Sequence, residues 1–324
     1  YCIDNGARIV SNSWGGQSPG FTNDPFWRDV VAHATAHNCL LIFAAGNNNQ
    51  DAVSFFPANT DGVVTVAASD INDNKASFSN WGEKIDVAAP GVGILSTTSR
   101  VNIWDSTSGY LTISGTSMAT PHVAGLAALI LSENPNYTPQ EIVQILRLSA
   151  TDLGAPGQDI YYGFGRINAS NAIQFALANL PGTIPTPQFS NLFSGDTVTG
   201  TINLQGAIGG SFLSWHIDVG SATKWNTVAT GSGSVVNTSA NTLTFPQSHI
   251  NIRLVAVNSA GLSFVDERHY ILVNNLDIGI TSPTRLVPAN NGVTPITGFV
   301  IPKNGLVVSS YTLEYGLGTA PTAW

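Results

Sequence analysis

The chain has 324 residues, enough for two or three domains, and a hydrophobic fraction of 43% that supports real cores. A net charge of −8 with only 10% charged residues excludes the basic footprint that nucleic acid requires. The longest apolar run, Val123–Leu131, is far too short for a membrane span, and two cysteines, Cys2 and Cys39, are too few for a disulfide framework, leaving a single pair or two thiols. In chain order, Arg8–Ser13 reads as a buried strand, and Asp24–His37 as a helix with Phe26, Val30, Val31 and Ala34 at helical spacing. Cys39–Ala45 is a continuous apolar run stopped by Gly46, the pattern of a central parallel strand, and Val63–Ala68 is another. Strand, helix, strand at this spacing predicts βαβ units and a doubly wound α/β sheet. Asp70–Asn74 has acidic spacing like a calcium loop but lacks its glycine and bidentate Glu, so it reads as a hairpin turn. A helix opens at Gly115-Thr116-Ser117 and runs to about Glu133. Thr138-Pro139-Gln140-Glu141 is a capping box for a helix reaching about Ser149, and Asn168 caps a last helix to about Asn179.

The character then changes. Residues 181–188 read as a Pro-rich linker, beyond which short β-branched segments alternate with Gly, Asn and Ser turns. Ile250–Val257 followed by Asn258-Ser259-Ala260-Gly261 resembles the late strands and turn of an immunoglobulin or fibronectin-type sandwich. An internal repeat joins Val198-Thr199-Gly200-Thr201-Ile202, Trp215–Gly220 and Trp225 to Ile296-Thr297-Gly298-Phe299-Val300, Tyr311–Gly316 and Trp324. The expected organisation is an α/β unit over 1–180, the linker, an all-β sandwich module over 189–276 and part of a second module over 277–324. The first module is expected to fold alone.

The most informative stretch is Gly115-Thr116-Ser117-Met118-Ala119-Thr120-Pro121-His122-Val123-Ala124-Gly125. A serine at a helix start projects its hydroxyl from the turn, and its own N–H is unpaired within the helix and sits at the positive end of the dipole. That suits a nucleophile beside an oxyanion site; a plain N-cap is the structural alternative. Supporting segments occur in order: Ser11-Asn12-Ser13-Trp14-Gly15-Gly16, Phe43-Ala44-Ala45-Gly46-Asn47, Ala76-Ser77-Phe78-Ser79-Asn80-Trp81-Gly82, Asp86-Val87-Ala88-Ala89-Pro90-Gly91 and Tyr162-Gly163-Phe164-Gly165-Arg166-Ile167-Asn168. Together they resemble the subtilisin-like serine proteases, the subtilases, over roughly residues 1–180. The match is not the Gly-x-Ser-x-Gly elbow of α/β-hydrolases, because Ala119 replaces its last glycine.

The resemblance implies a serine endopeptidase that cleaves protein or peptide substrates through a Ser117 acyl-enzyme. Asn47 would donate its amide to the oxyanion, Ser13, Trp14 and Gly15 would pair with extended substrate, and Gly15, Ala44, Ala45 and Gly46 would border the pocket for the residue before the scissile bond. Small residues there predict room for a large apolar side chain. Phe56-Pro57 matches a position where the family often has a cis proline. Asp86, with the backbone carbonyls of Asp61 and Val63, matches a family cation site that would suit Ca²⁺. Subtilases order their triad Asp, His, Ser. None of the six histidines, His33, His37, His122, His216, His249 and His269, precedes glycine as that pattern requires, so the triad Asp and His are expected upstream of Tyr1. The 1–180 stretch is accordingly expected to be inactive and poorly folded by itself. His33 and His37 lie one helical turn apart, but the surrounding sequence offers no further ligand, so they read as solvent-facing. Low charge and the family together suggest a secreted, extracellular protein, with β-modules that bind a cell-surface or other partner. The competing reading is a non-catalytic pseudoprotease or surface-binding protein.

Overall fold

The computed structural model describes residues 1–18, 24–98, 109–221, 224–245, 249–272, 276–282 and 296–302. Its N-terminal half is built on a four-stranded parallel sheet. The strands are β1 (Ile9–Asn12), β3 (Leu40–Ala44), β5 (Val64–Ser69) and β6 (Val87–Pro90), hydrogen-bonded in that order. Ile9 lies opposite Leu40, Ile42 opposite Val64 and Val66 opposite Val87. Every residue of β3 and β5 is buried, as expected for parallel strands covered on both faces. Helix α1 (Pro25–Ala36) links β1 to β3; Asp24 caps it by accepting from Phe26 N–H, and Pro25 supplies the preset φ of a first helical residue. Two short antiparallel pairs border this layer. One joins β2 (Gly16–Gln17) to β4 (Phe55–Phe56), and the other joins β7 (Ile94–Thr97) to β8 (Tyr110–Ile113).

Helix α2 (Thr116–Glu133) packs across β1, β3, β5 and β6, burying Ala119, Val123, Leu126, Ala127 and Ile130. Helix α3 (Pro139–Leu148) carries the capping box as expected, with Thr138 and Glu141 each bonding the other's backbone N–H. Helix α4 (Ala169–Ala178) begins at the Asn168 cap. Asp70 accepts from the N–H groups of Asn72 and Asn74, closing the turn between Ser69 and Lys75.

The C-terminal half is β-rich. Its strands are β9 (Thr186–Phe189), β10 (Thr197–Val198), β11 (Thr201–Gly209), β12 (Ser214–Ser221), β13 (Lys224–Gly231), β14 (Val235–Asn241), β15 (His249–Val257) and β16 (Ser263–Leu272). They form one sheet in the order β10-β16-β15-β12-β13 and another in the order β14-β11-β9. Along β11, exposed and buried residues alternate strictly, so Ile202, Leu204 and Ile208 face the core. A hairpin of β17 (Leu276–Ser282) and β18 (Thr297–Pro302) follows; β18 contains the second copy of the Thr-Gly repeat, whose later parts, Tyr311–Gly316 and Trp324, lie outside the described residues.

The 181–188 segment differs from a free linker. Gly182 N–H bonds Glu141, Ile184 is buried, and Thr186–Phe189 pairs with β11 as an edge strand. Proline is compatible with an edge, where the missing N–H faces no partner. Nor is the β unit a bead on a string. Arg147 of α3 donates to Val265 O at 2.8 Å and pairs with Asp86, while Gln144 donates to Val265 O at 3.2 Å. Asp61 accepts from Ser194 N–H at 2.7 Å and pairs with Arg268 at 3.4 Å. A cavity of about 440 Å³ lies in this seam, away from Ser117. These contacts join the first β module to the α/β unit, which its expected independent folding did not include.

Candidate active site

Ser117 is the second residue of α2. Four residues on, Pro121 has no N–H to give to the Ser117 carbonyl. Ser13, just beyond β1, fills that gap by donating its hydroxyl to Ser117 O at 2.8 Å, and Ser117 Oγ donates to Ser13 O at 3.2 Å. The reciprocal pair places the Ser13–Gly15 backbone directly beside the Ser117 hydroxyl. Ser13, Trp14 and Gly15 are all exposed, so their backbone is open to an extended ligand.

Asn47 follows β3 and faces the start of α2. Its Oδ1 accepts from Thr116 N–H at 2.8 Å and from Thr116 Oγ1 at 2.9 Å. Holding the oxygen in this way turns the amide NH₂ toward Gly115. A carbon placed as a Cβ on Gly115 would lie 3.6 Å from Asn47 Nδ2, 3.6 Å from Ser117 N and 3.6 Å from Met118 Sδ. Two N–H donors therefore border one small space at the helix N-terminus.

The loop carrying Asn47 is templated by Asn80, a residue in a recognised motif to which sequence reasoning gave no role. Asn80 is fully buried, donates to Ala45 O at 2.8 Å, and accepts from Asn48 N–H at 3.0 Å and Gln50 N–H at 3.1 Å. Gly46 has φ +102°, and any Cβ there would lie 2.4 Å from Asn80 Nδ2, so glycine is required by backbone and space alike. Lys75 bonds Asn49 Oδ1, Ala76 O and Ser79 O, and burial pushes its ammonium pKa down.

The segments expected to border the pocket meet an aromatic ring. Ala44 and Ala45 are buried, and Phe55 occupies the space beside the two glycines. A Cβ on Gly15 would lie 2.4 Å from Phe55 Cε1, and one on Gly46 would lie 2.8 Å from Phe55 Cδ2. The aromatic ring thus spans between the two pocket-bordering segments and takes volume that small residues alone would leave open. Phe56-Pro57 is cis, as the resemblance implied.

The calcium expectation does not fit these residues. Asp86 Oδ2 accepts from Thr65 N–H at 2.7 Å and Oδ1 is held by the Arg147 guanidinium. Asp61 Oδ1 pairs with Lys84 at 3.1 Å and its Oδ2 takes Ser194 N–H and Arg268. Buried Val63 lies on the same turn. Guanidinium and ammonium groups supply the positive charge that a cation was expected to bring. Burial opposes the charged form of Asp61, but Arg268 and Lys84 overcome it and hold its pKa below the usual carboxylate range.

His122 donates Nδ1–H to Met118 O at 2.8 Å within its own helix, consistent with its not being the base for Ser117. His269 is buried against Asn251, and His216 sits beside Asp218. Cys2 is exposed and Cys39 buried, both as free thiols.

Residues 1–165 match the model of the subtilase family, peptidase S8. The chain belongs to the subtilase family. It is 40% identical over 174 residues to a thermostable alkaline protease of Halalkalibacterium halodurans, an alignment covering 54% of this chain and 44% of that protein. It is 38% identical over 169 residues to subtilisin BL of Lederbergia lenta, covering 52% and 57% respectively. A solved protease structure from Pseudoalteromonas arctica aligns at 34% identity over 52% of this chain and 51% of that one, with a TM-score of 0.46. The chain spans about half the length of the relatives it matches. No helix among its described residues is long and apolar enough to cross a membrane.

Proposed function

We propose that this subtilase is an extracellular serine endopeptidase whose nucleophile is Ser117, with the Asp and His of the triad supplied from outside these 324 residues. The observation that carries the reading is the convergence of Asn47 Nδ2 and Ser117 N on one space at Gly115, at the start of the helix that bears Ser117. In the reaction, Ser117 Oγ attacks the scissile carbonyl carbon and its proton passes to the imidazole base. The carbonyl oxygen becomes an oxyanion held by Asn47 Nδ2–H and Ser117 N–H. The C–N bond then breaks as the amine takes the proton, and water releases the acyl group by the reverse sequence. Substrate lies extended along Ser13–Gly15, adding a strand beside β1. Phe55 restricts the residue before the scissile bond to a small side chain. The two-sheet C-terminal unit is read as an immunoglobulin or fibronectin-type sandwich that binds a surface partner.

Labelling the longer enzyme with a fluorophosphonate tests this reading. Modification of Ser117, lost in Ser117→Ala, is the expected result. Activity that survives Ser117→Ala would place the nucleophile elsewhere, and an unmodified enzyme that lacks both labelling and activity would support the non-catalytic alternative.

A further inference from the structure

The two histidines of α1 have a partner that sequence spacing did not show. His33 and His37, one turn apart, lie with ring centroids 4.3 Å apart and planes tilted by 46°. Asp4, in the turn before β1, lies 2.7 Å from His33 Nε2 through Oδ1. One ligand atom from each of Asp4, His33 and His37 can be chosen so that all three lie within 4.8 Å of one another, and all three residues are exposed. We infer that Asp4, His33 and His37 form a binding site for a divalent transition metal of the Zn²⁺ type.

Four features argue for it. First, the donor set of two imidazoles and one carboxylate matches borderline-soft Zn²⁺, whereas Ca²⁺ takes oxygen ligands only. Second, His37 Nδ1 lies 2.8 Å from His33 O. A carbonyl only accepts, so Nδ1 carries the proton and Nε2 keeps its lone pair for a metal, the arrangement by which outer-shell bonds orient metal-bound histidines. Third, both rings sit at the C-terminal end of α1, where the helix dipole favours positive charge. Fourth, Asp4 Oδ1 lies against His33 from outside α1, so the three ligands converge from two separate elements.

Tetrahedral Zn²⁺ with bonds of about 2.0–2.2 Å spaces its ligands about 3.3–3.5 Å apart. The Asp4–His33 contact must open by a few tenths of an ångström, and the wider separations must close by about as much as an exposed side chain can turn. Water fills the fourth position. The ion would displace the proton shared between Asp4 and His33 and clip the turn before β1 to α1. This site is far in sequence from Ser117 and does not depend on its role.

The test is calorimetric titration of the full, chelator-stripped chain with ZnCl₂ near neutral pH. One Zn²⁺ per chain is expected, with Asp4→Asn and His37→Gln each weakening binding by at least about tenfold. Absence of saturable binding, or unchanged affinity in His37→Gln, overturns the site. Should a variant fail to fold, imidazole NMR signals of the unmodified chain decide the matter. Zn²⁺ must shift His33 and His37; perturbation of other histidines instead refutes the assignment.

Discussion

Thr116 holds the side-chain oxygen of Asn47 with both of its donors, N–H at 2.8 Å and Oγ1 at 2.9 Å. The contact joins residues 69 positions apart and fixes which end of the Asn47 amide faces the space beside Ser117. Asn47→Ala in the longer enzyme is expected to lower kcat by about 10²–10³ with little change in KM, a range drawn from a subtilisin relative. Thr116→Val removes the hydroxyl's bond to Asn47 and the one it accepts from Gly46 N–H at 3.2 Å, and is expected to cost at least about 2- to 12-fold in kcat. Steady-state kinetics on the two variants checks both, and an effect confined to KM would place Asn47 in substrate binding.

On the proposed reading, Phe55 limits the size of the residue before the scissile bond. Phe55→Ala is expected to shift preference toward aromatic side chains before the scissile bond by about 10- to 200-fold, the range for removing apolar pocket volume. Competing peptide substrates that differ at that one residue measure the change. An unaltered preference would show that the ring lies off the substrate path.

Met118, the sole methionine, has its sulfur beside the same space as Asn47 Nδ2. Oxidation to the sulfoxide places a polar, bulkier group there. Peroxide is expected to inactivate the longer enzyme and spare a Met118→Ala variant, as followed by residual activity. Equal losses in both would rule the residue out as the sensitive point.

Arg147 neutralises Asp86 and at the same time bonds Val265 O across the seam. Arg147→Met leaves the Asp86 carboxylate without its cation in a largely buried site, and a loss of about 3–5 kcal/mol in unfolding free energy is expected. Urea unfolding of the full chain reads it directly. A change below 1 kcal/mol would mean that water reaches Asp86.

Asp61 gives the seam a defined pH response. Its folded pKa is lowered, so its contribution is present above the unfolded value of about 3.9 and is lost as pH falls toward the folded value. Asp266 and Glu267 have the opposite sign: burial raises both, so their contribution is complete at low pH and lost as pH rises through their folded values. The stability gap between the natural chain and Asp61→Asn should therefore be flat near neutrality and shrink below about pH 4. Unfolding curves across that range test the sign, and a gap independent of pH would refute it.

The parts of the fold legible in sequence are those written in local periodicity. Cys39–Ala45 and Val63–Ala68 announce themselves as parallel strands because both faces are apolar, and Thr138 and Glu141 specify a helix start within four residues. Ser117 and Asn47 are proposed from sequence because each sits in a continuous motif. What escaped depends on residues meeting across the chain. The Asn80 clamp on residues 45–50, the Phe55 ring between Gly15 and Gly46, and Arg147 on Asp86 join segments 30 to 61 positions apart. The Pro-rich stretch reads as a linker in sequence and pairs with β11 in part, because proline suits both a linker and an edge strand. Asp4, in a turn 29 residues before His33, carried no periodic signal.

The seam also governs how this protein can be recombined. Asp61, Asp86 and Arg147 on one side and Ser194, Val265 and Arg268 on the other are a matched set. A foreign β unit grafted at residue 185 would leave Asp61 with Lys84 alone, its Oδ2 without Ser194 N–H and Arg268, unless it carried a cation in the register of Arg268. Exchange of this unit between proteases thus requires paired substitutions on both sides, so the α/β half and its first β neighbour are expected to be inherited together.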